Sequence, residues 1–219
     1  MIHLAILDDH IVMRKGIKTI IESDLEIKVI LEASNGKELL SQLSTLATLP
    51  DIVLLDITMP VMNGFETIDE LKVKYPGIKI IVFSLLTEED TVIHMIQKGA
   101  SGYISKSADP SLLSKVITTV FHTGFYIGDL VKKDFFRKEN TFGRKGAFIG
   151  KQPLSSNEVE FIRLASTNLN YSEIATKMGV RPKTLENYRD SLFLKLEIKN
   201  RAALALYGFR NGLIDTLPK

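Results

Sequence analysis

Residues 52–74 read IVLLDITMPVMNGFETIDELKVK. The stretch opens on four consecutive aliphatic residues, Ile52–Leu55, and stops at an acid, Asp56. A short solid apolar run suits a strand buried on both faces. Pro60 and Asn63-Gly64 then break the chain, and Gly64–Lys74 carries a helical pattern stopped by Pro76-Gly77. The same strand-then-helix unit recurs on either side. Upstream it is Ile2–Leu7 with His10–Glu22, and Glu26–Leu31 with Gly36–Leu46, where Leu39, Leu40, Leu43 and Leu46 form one stripe. Downstream it is Ile78–Phe83 with Glu88–Lys98, ended by Gly99, and Gly102–Ile104 with a helix to about Phe121. For that last helix the dipeptide Asp109-Pro110 predicts an N-cap followed by Pro at the first helical position.

Five such units within residues 1–121 predict an α/β flavodoxin-like, doubly wound, five-stranded parallel sheet of order 2-1-3-4-5. In these sheets ligands bind beyond the carboxyl ends of the strands. Asp8 and Asp9 follow the first strand and Asp56 the third, which are neighbours in that order, so the three carboxylates are expected to converge. Crowded carboxylates repel, and a divalent cation relieves them; Mg2+ suits few carboxylates plus water and a phosphate oxygen. Ser84 ends the fourth strand and Lys106 follows the fifth, facing the same crevice. Acids, a hydroxyl and an ammonium around a cation site can handle a phosphoryl group, with a carboxylate as nucleophile. The four histidines, at 3, 10, 94 and 122, have no ligand spacing and are assigned no chemistry.

The character then changes. Gly124, Gly128, Gly143, Gly146 and Gly150 punctuate a weakly periodic stretch, read as a linker over 125–152 with a short helix at Asp129–Phe136. From Leu154 the pattern is wholly helical. Ser155-x-x-Glu158 is a capping box, and the helix after it runs to about Ser166. Ser172–Met178, Pro182–Leu196 and Ala202–Arg210 complete a small all-α four-helix unit. Two of these helices, joined through Met178-Gly179-Val180-Arg181, have the length of a helix-turn-helix. The organisation expected is therefore a first domain over 1–124, the linker, and a second domain over 153–219.

Composition narrows the function. The 219 residues include no Cys, which excludes disulfides, thiolate zinc sites, iron–sulfur clusters and a Cys nucleophile. The charge-free run Val116–Gly128 is 13 residues, short of the ~20 that span a membrane, and no basic n-region precedes Ile2–Leu7. A cytoplasmic protein is expected. The formal net charge of +2 hides an asymmetry. Residues 1–121 hold 11 basic and 16 acidic side chains, and residues 154–219 hold 10 and 7. The acidic part suits a cation; the basic part permits nucleic acid.

Asp8-Asp9, Asp56, Ser84 and Lys106, each after the expected strand, together with Met59-Pro60 and Asn63-Gly64, resemble the receiver domain of two-component response regulators. The resemblance covers residues 1–121. It implies that Asp56 accepts phosphate from a sensor histidine kinase. It implies too that Asp9 and Asp56 ligate Mg2+ with the Thr58 carbonyl, supported by Asp8. Ser84 and Tyr103 would be the switch pair, and Lys106 would pair with the phosphate. Ser107 departs from the pattern, since many receivers carry Pro after the Lys. A rival reading is a phosphatase that forms an aspartyl-phosphate. Such enzymes carry a second acid two residues after the nucleophile; here that position is Thr58, which cannot protonate a leaving group. The chain is therefore read as a non-enzyme.

The tail is similar to the LuxR-type helix-turn-helix of NarL/FixJ-type regulators. The matching residues are Glu158, Leu164, Glu173-Ile174-Ala175, Thr184-Leu185, Lys195-Leu196, Asn200-Arg201 and Ala203. The helix from Pro182 would be the recognition helix, its first turns in the major groove of double-stranded DNA. Helical phase turns Leu185 and Leu192 inward and Lys183, Thr184, Glu186, Asn187, Arg189 and Asp190 outward. Lys183 and Arg189 suit phosphates or guanine, Asn187 suits adenine, and Arg181 and Tyr188 could hold phosphates. Relatives often carry Lys at the position of Glu186 and His at that of Tyr188, so Glu186 and Asp190 either read bases or weaken binding. The alternative is a helical domain that binds a protein partner. The last helix has more apolar surface than one face buries, which suits a homodimer, at least when phosphorylated.

Overall fold

The computed structural model describes residues 1–127 and 154–214. The chain divides into two compact units, Met1–Tyr126 and Ile127–Lys219. In the first, five strands alternate with five helices: β1 Ile2–Leu7, α1 Ile11–Ile21, β2 Ile27–Ala33, α2 Gly36–Leu43, β3 Ile52–Leu55, α3 Gly64–Lys74, β4 Lys79–Ser84, α4 Glu89–Lys98, β5 Gly102–Ser105 and α5 Leu112–Thr123. All pairings are parallel and the order is β2-β1-β3-β4-β5, the doubly wound arrangement expected. β3 is buried at all four positions, as its unbroken aliphatic run requires. Alternate residues feed two cores. Ile2, Leu4, Ile6, Ile52, Leu54 and Ile81 pack with Ile17 and Ile21 of α1 and with Leu113, Val116, Ile117 and Val120 of α5. The intervening residues Leu7, Val53, Leu55 and Val82 are buried on the opposite face.

Several boundaries differ from the sequence expectation. β2 starts at Ile27 and runs to Ala33, because its last residues pair with Ile6 and Leu7 of β1. α2 ends at Leu43, where the hydroxyls of Ser44 and Thr45 turn back onto the Ser41 and Gln42 carbonyls. Asp109 is not the N-cap of α5. Its carboxylate accepts from the Ser111 N–H (2.9 Å) in a preceding turn, and Ser111 stands at the cap. Phe125 and Tyr126 belong to the first unit, not to a linker. Phe125 is buried, the Tyr126 N–H donates to the Ser101 carbonyl (2.8 Å), and Tyr126 bridges Gly102 alongside β5. The helix expected at Asp129–Phe136 lies outside the described residues.

The second unit's described residues form α6 Ser156–Ala165, α7 Tyr171–Lys177, α8 Pro182–Leu196 and α9 Arg201–Arg210. The Ser155/Glu158 capping box is present. A second one, Asn170 with Glu173, starts α7 one residue earlier than expected. Gly179, at φ +65°, makes the turn between α7 and α8, and Pro182 occupies the first turn of α8. α9 is buried from Arg201 to Gly208, so among its apolar residues Phe209 alone is left half-exposed, far less spare apolar surface than expected for a second copy.

Candidate functional site

The carboxyl ends of β1 and β3 bring the acids together. Asp8 and Asp56 are buried, and Asp9 is partly exposed. The Lys106 ammonium, at the far end of β5, lies 2.7 Å from Asp8 Oδ2 and 2.6 Å from Asp56 Oδ2. Burial works against the Lys106 charge, but the two carboxylates outweigh it and hold the ammonium above its ordinary range. Asp56 Oδ1 accepts the N–H of Ile57 (2.7 Å). The backbone crosses close beneath, since a Cβ on Gly64 would come 2.6 Å from the Asp56 carbonyl oxygen. Only glycine therefore fits at the start of α3. In the same loop Val61 holds φ at +68°, a conformation that costs a β-branched residue about 1–3 kcal/mol.

One ligand atom from each of Asp8, Asp9, His10 and Asp56 lies within 4.8 Å of the others. Asp9 Oδ1 is shut from solvent and accepts no well-formed hydrogen bond; its near neighbour is His10 Nδ1 at 2.9 Å. A buried, hard-oxygen donor set of this kind fits Mg2+. Asp8, Asp9 and Asp56 would hold the ion; the Thr58 side chain is exposed, outside the cluster, so its carbonyl would be the donor.

His10 was given no chemistry in the sequence reading, yet its backbone N–H and Nδ1 both meet Asp8 Oδ1, at 2.8 and 3.3 Å. Its ligand partners are its chain neighbours, so spacing rules written for distant ligands pass it over. Arg14 was missed too. One turn into α1, its Nη1 donates to the Asp8 carbonyl (2.5 Å).

Ser84 is buried and accepts a long bond from the Leu86 N–H (3.4 Å), while its carbonyl takes the Lys106 N–H (2.9 Å). Tyr103 is buried, and its hydroxyl donates to the Leu86 carbonyl. Burial, with the Glu88 and Asp56 charges, pushes that phenol far above its usual range. Tyr103 thus ties the chain after β4 to β5, three residues before Lys106.

In the second unit α8 buries Leu185, Leu192 and Leu196 and exposes Arg181, Lys183, Thr184, Glu186, Asn187 and Asp190. Tyr188 is half-buried. Arg189 does not point outward as expected. Its guanidinium lies 5.5 Å from the Tyr171 ring centre and its Nε 2.8 Å from Asp190 Oδ1, because an aromatic face and a neighbouring carboxylate both attract it. Lys183 pairs with Glu186 at 2.9 Å. Arg201 is buried and donates to the Ala165 and Thr167 carbonyls, tying α9 to the end of α6.

Comparison with known proteins matches both units. Residues 4–118 fit the response regulator receiver domain, and residues 152–207 fit the bacterial regulatory proteins of the luxR family. The response regulator UvrY of Escherichia coli K12 is 30% identical over 216 residues, covering 98% of this chain and 97% of that one. The transcriptional regulatory protein DegU of Brevibacillus brevis is 27% identical over 97% and 95%. A solved structure of the Salmonella typhimurium RcsB response regulator, from work on its DNA interaction, is 25% identical with a TM-score of 0.57, covering 94% and 97%. With a receiver-like sheet, its acids at the strand ends, and a luxR-type helical unit later in the sequence, the chain belongs to the NarL/FixJ-type two-component response regulators, which join a receiver to a LuxR-type helix-turn-helix DNA-binding domain.

Proposed function

We propose that a sensor histidine kinase phosphorylates this protein on Asp56, in the presence of Mg2+, and that this switches its binding to double-stranded DNA and hence transcription. The observation that carries the reading is the buried Asp56 carboxylate, bonded to Lys106 and flanked by Asp8 and Asp9 at one end of the sheet. An Asp56 oxygen attacks the phosphorus, the bond to the kinase's imidazole nitrogen breaks, and an aspartyl phosphate forms. Lys106 leaves Asp56 Oδ2 for a phosphoryl oxygen, and the Ser84 hydroxyl donates to another. Bound Mg2+ would neutralise the carboxylates and the incoming phosphoryl oxygens. The exposed Ile11 and Val12, just past the acids, offer the kinase an apolar contact. Tyr103 carries the change, since the loop it holds through Leu86 begins at Ser84.

The helical unit reads DNA from the first turns of α8, with Arg181, Lys183, Thr184, Glu186, Asn187 and Tyr188 as the contact set, while Arg189 is held on Tyr171. The likeness to DegU, a transcriptional regulatory protein, and to RcsB, a response regulator that interacts with DNA, supports this. The protein acts as a homodimer when phosphorylated, in the cytoplasm, and turns over no substrate beyond its own phosphoryl group. Among the described residues no helix is long and apolar enough to cross a membrane.

The test is incubation with a small acyl phosphate and Mg2+, read by intact mass. Wild type gains one phosphoryl group and Asp56→Asn gains none; a gain in the variant refutes the assignment. Selection from a random DNA pool, with and without beryllofluoride, then separates the two readings of α8. A symmetric site enriched with the mimic supports DNA recognition. No enrichment, from folded protein that binds the mimic, favours a protein partner.

A further inference from the structure

Lys106 sits in a turn with an unusual closure. The Ala108 N–H donates to the Ser105 carbonyl (3.0 Å), making Lys106 and Ser107 the two central residues. Ser105, the last residue of β5, is buried. Its Oγ accepts the Ser107 N–H (3.2 Å) and lies 2.6 Å from the Ser107 Oγ. The two serines flanking Lys106 are therefore bonded to each other twice, by a side chain-to-backbone bond and a hydroxyl pair. On its other side the Lys106 N–H is anchored to the Ser84 carbonyl at 2.9 Å. Proline at 107, the residue many receivers carry, fixes its own φ but has no N–H to give to Ser105.

We propose that Ser105 and Ser107 form a hydroxyl bracket that positions Lys106, aiming its ammonium into the acidic pocket. The proposal rests on the reading of Asp56 as the phosphoacceptor. Neither serine touches the reacting atoms; both act through Lys106. The ammonium stands at the tip of a long flexible side chain, and its two carboxylate contacts at 2.6 and 2.7 Å require the backbone that carries it to stay put. Ser107 is exposed, so its hydroxyl competes with water, and the bracket is a modest lock rather than a rigid one. Loss of the hydroxyl pair then loosens the Lys106 contacts without breaking them.

The experiment uses the full chain with a small acyl phosphate and Mg2+, following phosphorylation by intact mass. Ser107→Ala should slow phosphorylation about threefold to tenfold, the effect of losing one partly exposed hydrogen bond. Ser107→Thr, which keeps the hydroxyl, should restore the rate, and thermal midpoints should stay together. Ser105→Ala, which loses the bond from the Ser107 N–H as well, should be at least as slow as Ser107→Ala, and the double variant should be no slower than Ser105→Ala, since the hydroxyl pair can be lost only once. A wild-type rate in Ser107→Ala overturns the bracket. So does Ser107→Thr as slow as the alanine variant, or single effects that multiply in the double. Wild type that takes no phosphoryl group, or Asp56→Asn that does, overturns the Asp56 reading and the bracket with it.

Discussion

The two charged regions of this molecule use the same residue types and reach opposite results. In the acidic pocket Lys106 joins two carboxylates from different strands, with side chains 6%, 2% and 5% exposed. On α8 Lys183 pairs with Glu186 three residues along the same helix, at 82% and 49% exposure. The pocket pair links elements far apart in sequence, and little water remains to screen it. The helix pair competes with solvent at every moment. Burial therefore decides whether an ion pair is part of the architecture or a local adjustment of charge.

Removing the pocket's cation is the strongest test of that contrast. Lys106→Met should destabilise the first unit by about 2–3 kcal/mol without divalent ions, since two buried carboxylates are left facing each other. Millimolar Mg2+ should restore much of it. Urea unfolding with and without the ion reads both, and equal curves for variant and wild type would remove the contrast.

A second lysine sharpens it. Lys72, near the end of α3, is half-buried with a carbonyl, that of Ile78, as its bond partner (3.1 Å), and desolvation aided by the Lys79 charge lowers it to about 8. Between pH 8 and 10.5 the unfolded chain binds this proton and the folded one does not, so stability should rise with pH across that window. Lys106 is shifted the other way. Its contribution is complete below 10.5 and is lost only as pH climbs through its raised folded value. Stability measured from pH 7.5 to 10 should climb by about 1–2 kcal/mol in wild type and stay flat in Lys72→Met.

The helix pair should matter for DNA more than for folding. Glu186→Gln frees Lys183 for a phosphate, so non-specific DNA affinity should increase and the logarithmic salt slope should steepen by about one. An unchanged slope in fluorescence anisotropy would mean that Lys183 does not reach the backbone. The same substitution should shift stability by less than about 0.5 kcal/mol, the smallest effect of the set.

The pocket is largely legible in the sequence. Each of Asp8, Asp56, Ser84 and Lys106 follows an apolar run, and a parallel sheet has one end where such residues meet. His10 was not legible as part of it, because its place depends on how α1 leaves β1. Arg189 was misjudged because helical phase knows one helix at a time, whereas Tyr171 belongs to α7. Phe125 and Tyr126 looked like linker in a glycine-punctuated stretch, but the edge of β5 was open to pair with them.

Hydrophobic periodicity and strand-end residues determined the sheet, its order and the identity of the chemical groups, because these follow from spacing along one chain. The Lys106 bridge between Asp8 and Asp56, the anchoring of its turn to Ser84 and the burial of α9 were decided by tertiary structure. Each depends on distances of a few ångströms between side chains or elements, and periodicity along the chain carries no such distances.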